Sequence, residues 1–259
     1  MRKCIVLCLL VFFFAAAAWA AEFPLREKPE FKELTPVTTA DLYAWGKAGQ
    51  SVVVDVRSIE EYEVIHVNGS KHIPISQKDF LAQLEKARGK SDGKKLAFYC
   101  NGVTCAKSYE ACRAAKDAGF INVFVYDAGI PEWAAEHAED TTLLGKTPAD
   151  PSKLITKAQL KDHTVDFAAF KAKAASGAEV IDIRDPMQRK DQLPGVAGVK
   201  SIPFERMVPL LQKGAFKGKT LLIFDAVGKQ IQWLQYYLED SGQKDYLFLE
   251  GGVRKALQG

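Results

Sequence analysis

Histidine is scarce in this chain, four in 259 residues, and His66 and His72 lack the cysteine or carboxylate spacing around them that makes a zinc site. No metal centre and no cofactor is expected. An excess of one charge is missing too. The 35 basic and 32 acidic side chains leave +3, with no basic stripe to neutralise a row of phosphates, which sets nucleic acid aside as a partner. Glycine and proline number 19 and 11 and follow no Gly-X-Y period, so collagenous and low-complexity classes fail. Cysteine is sparse as well. Cys4 and Cys8 lie in an N-terminal apolar run, which leaves Cys100, Cys105 and Cys112, an odd cluster in one segment and not the framework of a disulfide-stapled domain.

What is present is apolar material, 47% of the chain, enough for one large or two ordinary domains. Arg2 and Lys3 precede the apolar run Cys4 to Trp19, which closes on Ala18-Trp19-Ala20, a small-x-small cleavage pattern. Residues 1–20 therefore read as a signal peptide, and the product as a periplasmic or otherwise exported protein beginning at Ala21. Its charge is +1, and no stable membrane insertion is expected after cleavage. Leu7 before Cys8 argues against a lipid anchor.

Residues 21–36 form a mixed lead-in, and residues 139–152 (EDTTLLGKTPADPS) a polar linker between two richer segments, 37–138 and 153–259. Each segment alternates β-type runs with amphipathic helical patterns. Val52 to Val54 and Leu96 to Tyr99 supply the first set, Val180 to Ile183 and Leu221 to Phe224 the second. That alternation predicts an α/β fold of mainly parallel sheets flanked by helices. The halves also repeat: Asp55-Val56-Arg57 returns as Asp182-Ile183-Arg184, 127 residues on. Cys100 corresponds to Asp225 and Gly129 to Gly252 at offsets of 125 and 123. Three matches in order indicate duplication.

Leu96 to Tyr99 reads as a buried strand, Asn101-Gly102 as a tight turn, and Ala106 to Ala118 as a helix stopped by Gly119. Cys100 thus stands at a strand's carboxyl end, facing a helix N-terminus, where backbone N–H groups and the helix dipole favour an anion. That field should depress its thiol pKa below about 8.5 and make it a nucleophile. Cys112 falls on the core face. Cys105, at the helix start, either packs or reaches Cys100 as a resolving thiol. Arg57, near Glu60 and Glu61, reads as a structural ion pair, and Trp133 as a cover on the core edge.

These residues resemble the rhodanese family of sulfurtransferases in tandem form, over roughly Thr39 to Leu257. Asp55-Val56-Arg57 with Glu61-Tyr62 and His72-Ile73-Pro74 looks like the family's first signature. Cys100 looks like its catalytic position, and Gly129 with Trp133 like its closing motif. The resemblance implies two rhodanese-like domains and a persulfide on Cys100, cradled by the loop of Asn101, Gly102, Val103, Thr104 and Cys105 and passed to a thiophilic acceptor. It also implies a small sulfur donor. Where the usual loop ends in arginine, this chain has Cys105, so thiosulfate loses a fork-shaped partner. Lys107 offers only a point charge, and polysulfide or a low-molecular-weight persulfide fits at least as well. Phosphatase relatives carry arginine where Ala106 stands, which disfavours phosphate chemistry.

In the second half Asp225 replaces the nucleophile and Ala256 the closing tryptophan, so residues 153–259 read as a non-catalytic domain that covers part of the entrance to the Cys100 loop. Asp225 there is expected to gain about 0.3–1 kcal/mol from the helix dipole. The competing reading is a thiol-redox or binding module that uses Cys100 and Cys105 without sulfur transfer.

Overall fold

The computed structural model describes residues 23–90 and 92–258. The signal-peptide reading of residues 1–20 lies outside them. In chain order the first half runs α1 (Thr39–Lys47), β1 (Ser51–Asp55), α2 (Ile59–Val64), β2 (Ile65–Val67), β3 (Lys71–His72), α3 (Phe80–Ala87), β4 (Lys95–Tyr99), α4 (Lys107–Asp117), β5 (Val123–Tyr126), α5 (Gly129–Glu136) and β6 (Thr141–Leu143). The second runs α6 (Lys157–Asp162), β7 (Thr164–Val165), α7 (Phe167–Ala175), β8 (Glu179–Asp182), β9 (Lys200–Ser201), α8 (Phe204–Gln212), β10 (Leu221–Phe224), α9 (Ile231–Asp240), β11 (Tyr246–Leu249) and α10 (Gly252–Ala256).

Both halves are α/β layers with parallel sheets, as the alternating pattern predicts. Sheet order is β3-β1-β4-β5 in the first and β7-β11-β10-β8-β9 in the second. Every pairing within these two sheets is parallel. The orders coincide once β8, β9, β10 and β11 are set against β1, β3, β4 and β5. Even β7 has a counterpart, because Pro36 makes a parallel bridge to Val125 on the edge of β5.

Local chemistry sets the boundaries. Thr38 caps α1 by accepting the Asp41 N–H, and Ser58 with Glu61 forms a reciprocal capping box on α2. The central strands are buried on both faces, which explains runs such as Leu96-Ala97-Phe98-Tyr99 with no polar alternation. Leu96 and Phe98 join Val54, Tyr109 and Cys112 on one face of the first sheet, while Ala97 and Tyr99 join Val64, Tyr126 and Trp133 on the other.

The lead-in belongs to this core. Leu25, Phe31 and Leu34 are buried against the first face, and Arg26 forms a two-pronged ion pair with Asp127 at 2.7 and 2.9 Å. The polar stretch after residue 138 is likewise tied down where it begins: β6 pairs antiparallel with β2, and Thr141 is fully buried.

Candidate active site

The carboxyl ends of β1, β4 and β5 meet at one edge of the first sheet, and the segment from Cys100 to Ala106 crosses it before entering α4. Its shape is held from behind. The Ile130 N–H donates to the Cys100 carbonyl at 3.0 Å, and the Cys105 N–H closes a turn on the Gly102 carbonyl at 2.8 Å. Gly129 makes this approach possible, because a Cβ there would stand 2.4 Å from the Gly102 nitrogen and 2.5 Å from the Cys100 oxygen. Its φ of +68° also lies in the left-handed region.

Cys100 is completely buried, and its sulfur lies 3.2 Å from the Cys105 carbonyl, which can accept its single S–H, and 3.3 Å from the Ser108 hydroxyl. The expectation of a depressed Cys100 pKa is therefore corrected. Burial pushes this thiol well above its ordinary value, and contact with Cys105 adds to the rise. The loop's field acts on Cys105 instead. Hydrogen bonding from Cys100 is the largest influence, and burial opposes it. The Asn101 and Lys107 backbone N–H groups and the Lys107 charge then help hold the Cys105 thiol down at about 6. The turn explains the exchange: it swings the Cys105 sulfur onto the amides while Cys100 follows the strand inward. The Cys105 N–H, expected in the cradle, is spent within the turn. The three cysteines among the described residues are free thiols, and Cys112 sits in the core, raised to about 12 by burial.

The other loop residues divide by environment. Gly102 is buried, Asn101 and Val103 are partly exposed, and Thr104 is open to solvent. The Asn101 amide group donates to Glu61 and accepts from Arg57 Nη1 at 3.2 Å. Lys107 Nζ pairs with Glu61 Oε2 at 3.2 Å. Burial pushes the Glu61 carboxyl up, but the Lys107 charge, the Ser58 N–H and Asn101 outweigh it and leave it lowered. Glu61 and Ser108 are the residues that sequence reasoning missed. Glu61 is visible locally as the end of a Ser-x-x-Glu cap, but its contact with Asn101, forty residues away, leaves no local signal.

Arg57 is a buried structural ion pair, as expected, with a different partner. It binds Asp55 through Nε at 2.9 Å and Nη2 at 2.6 Å and reaches the Ile65 carbonyl at 2.5 Å. Glu61 is already engaged in the α2 cap, which leaves the strand-end carboxylate two residues back. Arg184 repeats the arrangement with Asp182 at 2.9 and 2.8 Å. Trp133 is buried on Tyr126 and donates to the Asp140 carbonyl at 3.2 Å, covering the core edge.

In the second half, Asp225 occupies the position of Cys100. Its carboxylate accepts the Val227 N–H at 3.0 Å, the Gln230 N–H at 2.5 Å and the Gly228 N–H. This loop's amides converge on an anion supplied by the chain itself. Three hydrogen bonds to a buried carboxylate add to the dipole interaction expected above.

The second half also faces the first loop. The Arg57 guanidinium lies 5.6 Å from the Trp233 ring centroid. A cleft of about 320 Å³ opens between Asn101, Ile130 and Pro131 on one side and Leu154, Trp233 and Tyr236 on the other. Among the described residues no cluster of His, Cys, Asp and Glu is arranged to hold a metal, and no helix is long and apolar enough to cross a membrane.

Residues 38–136 match the family model described as a rhodanese-like domain. A thiosulfate:glutathione sulfurtransferase of Saccharomyces cerevisiae is 31% identical over 100 residues, covering 36% of this chain and 70% of the yeast protein. The chain belongs to the rhodanese family. Two further matches come from Mycobacterium tuberculosis. An HTH-type transcriptional regulator is 37% identical over 98 residues, 38% of this chain and 40% of the regulator. The probable adenylyltransferase/sulfurtransferase MoeZ is 30% identical over 111 residues, 41% of this chain and 26% of MoeZ. The chain thus spans less than half the length of either. Among solved structures, a Bacillus halodurans protein has a TM-score of 0.39 at 26% identity, covering 49% of this chain and 89% of that one. The thiosulfate sulfurtransferase of Pseudomonas aeruginosa has a TM-score of 0.37 at 18% identity, covering 85% of this chain and 41% of that one. Rhodanese-family membership and sulfurtransferase-named relatives support a sulfurtransferase-type activity in general.

Proposed function

We propose that this protein is an exported sulfurtransferase or sulfur carrier that takes a sulfane sulfur on Cys100 and passes it to a thiol or other thiophile. The observation that carries this reading is the Cys100 sulfur set 3.2 Å from the Cys105 carbonyl within one loop, with the Cys105 thiol held low by hydrogen bonding from Cys100 and then by the loop amides. The Cys105 thiolate accepts the Cys100 proton as the Cys100 sulfur attacks the outer sulfur of a persulfide donor. The donor leaves as a thiolate and takes that proton. An acceptor thiolate then attacks the outer sulfur of the Cys100 persulfide, carries it away, and restores Cys100.

The donor follows from charge. Arg57 is consumed by Asp55, the Ile65 carbonyl and Asn101, and Lys107 is paired with Glu61. A dianion such as thiosulfate meets no fork-shaped cation here, which favours polysulfide or a low-molecular-weight persulfide. The yeast relative is named for transfer to glutathione, and that supports a small thiol acceptor.

The second half, residues 153–259, is a duplicated, non-catalytic rhodanese-like domain. Matching sheet order, the repeated Asp-x-Arg pair and an Asp225 that cannot carry a persulfide support this division. The N-terminal run of the sequence supports export.

The test is intact mass after exposure of the reduced protein to polysulfide. An added sulfur on wild type or on Cys105→Ser, absent from Cys100→Ser, is expected. No added sulfur on wild type or Cys105→Ser, or its persistence in Cys100→Ser, overturns the proposal. The Cys100 and Cys105 contact also favours one competitor, a dithiol redox module in which the pair oxidises without any sulfur donor.

A further inference from the structure

Proton acceptance during loading does not exhaust what Cys105 can do. Acceptor attack needs only Cys100, yet a second cysteine, partly exposed and with its thiol held toward the anionic form, follows within one turn, and its carbonyl lies 3.2 Å from the Cys100 sulfur. A persulfide on Cys100 keeps its inner sulfur where the present Sγ stands. That is the atom within 3.2 Å of the Cys105 carbonyl. Cys112, the third thiol, is confined to the core cluster and does not compete.

Resting on the persulfide reading above, we infer that the Cys105 thiolate attacks the inner sulfur of the Cys100 persulfide, closing a Cys100–Cys105 disulfide and expelling hydrosulfide. The new bond joins the two cysteine sulfurs, and the bond that breaks is the persulfide S–S bond. The thiolate is oxidised to disulfide level and the outer sulfane sulfur is reduced to HS⁻, which keeps the persulfide proton. Charge and atoms balance with no further oxidant. An external dithiol reductant resets the pair by thiol–disulfide exchange. The site then has two outlets for one persulfide. A thiol acceptor that reaches the outer sulfur first takes it intact, and otherwise Cys105 converts it to sulfide. Partitioning depends on acceptor concentration, so sulfide release should fall as acceptor thiol rises.

The experiment uses the reduced, desalted chain and one equivalent of glutathione persulfide, with bimane trapping of sulfide and mass analysis of the tryptic peptide 96–107. Wild type is expected to lose two hydrogens on that peptide and release sulfide in equal amount. Cys105→Ser is expected to load more slowly but, once loaded, to retain the added sulfur and release at least about tenfold less sulfide per persulfide formed. A stable added sulfur on wild type with no disulfide, or a disulfide without matching sulfide, overturns the inference and leaves sulfur transfer standing. No added sulfur on either protein, with no sulfide released, overturns the sulfur-transfer reading itself. The wild-type measurement relies on no variant, so a folding defect in Cys105→Ser cannot mask the outcome.

Discussion

Cys100 and Asp225 are structural equivalents whose side chains have opposite relations to their loops. Each ends the second strand in from an equivalent sheet edge, and each offers its carbonyl at 3.0 Å to the N–H that follows a left-handed glycine, Ile130 in one case and Val253 in the other. Beyond the backbone they part. The Cys100 thiol turns inward to Ser108 and the Cys105 carbonyl, while the Asp225 carboxylate gathers its loop's amides.

The first prediction concerns Asp225. Replacing it with Ala leaves three loop N–H groups without their buried carboxylate, at a cost of about 2–3 kcal/mol. Urea unfolding should show that loss, with persulfide formation on Cys100 unchanged in the folded protein. If the variant stays folded and loses sulfur transfer, Asp225 acts in the chemistry and the division of labour is wrong.

The two closing glycines give a second, paired prediction. An alanine Cβ at Gly129 collides with the Gly102 nitrogen, and one at Gly252 stands 2.5 Å from the Asp225 oxygen. Both are strained at positive φ, so each substitution should lower stability by about 1–3 kcal/mol. Only Gly129→Ala should also impair persulfide formation. Equal impairment by both would place the second loop in the reaction.

The third prediction is a pH profile. With the Cys105 thiol lowered to about 6, iodoacetamide should modify Cys105 at a rate that rises with pH to a plateau, with its midpoint near that value. Cys100 should be the slow thiol at neutral pH, because burial raises it. Cys100→Ala removes the largest lowering influence and should move the Cys105 midpoint upward. The sign for stability follows from linkage. The folded pKa of Cys105 lies below its unfolded one, so its contribution is full above about 8.5 and is lost as pH falls through 6. Labelling that finds Cys100 the faster thiol at pH 7 would refute this.

Trp233 supplies the fourth. Its ring packs over the Arg57 guanidinium and lines the cleft beside Asn101. Trp233→Ala should cost about 1–2 kcal/mol and change the apparent KM for the acceptor while leaving single-turnover loading of Cys100 unaltered. A change confined to the loading step would mean that the cleft admits the donor instead.

Much of the fold was legible because it is written in local pattern. The run from Leu96 to Tyr99 and the stop at Gly119 placed β4 and α4 to within a residue, and the repeated Asp-x-Arg marked two equivalent strand ends. Direction was harder to read. Spacing puts Cys100 and Cys105 in one loop, but which sulfur meets the amides depends on the turn closed by Cys105 N–H and Gly102, and on Ser108 and Gly129 pressing from other elements. The partners of Glu61 and the approach of Trp233 are long-range facts with no periodicity to announce them.

The N-terminal strap has a consequence for how the chain assembles. Val37 donates to the Val125 carbonyl at 2.9 Å, Val125 donates to Thr35 at 2.9 Å, and Arg26 grips Asp127. These contacts join segments about ninety to a hundred residues apart, so loop closure over most of the first half must precede them. The earliest part of the sheet edge to be synthesised is among the last to dock. Until Asp127 has emerged, Leu25, Phe31 and Leu34 have no completed surface to cover.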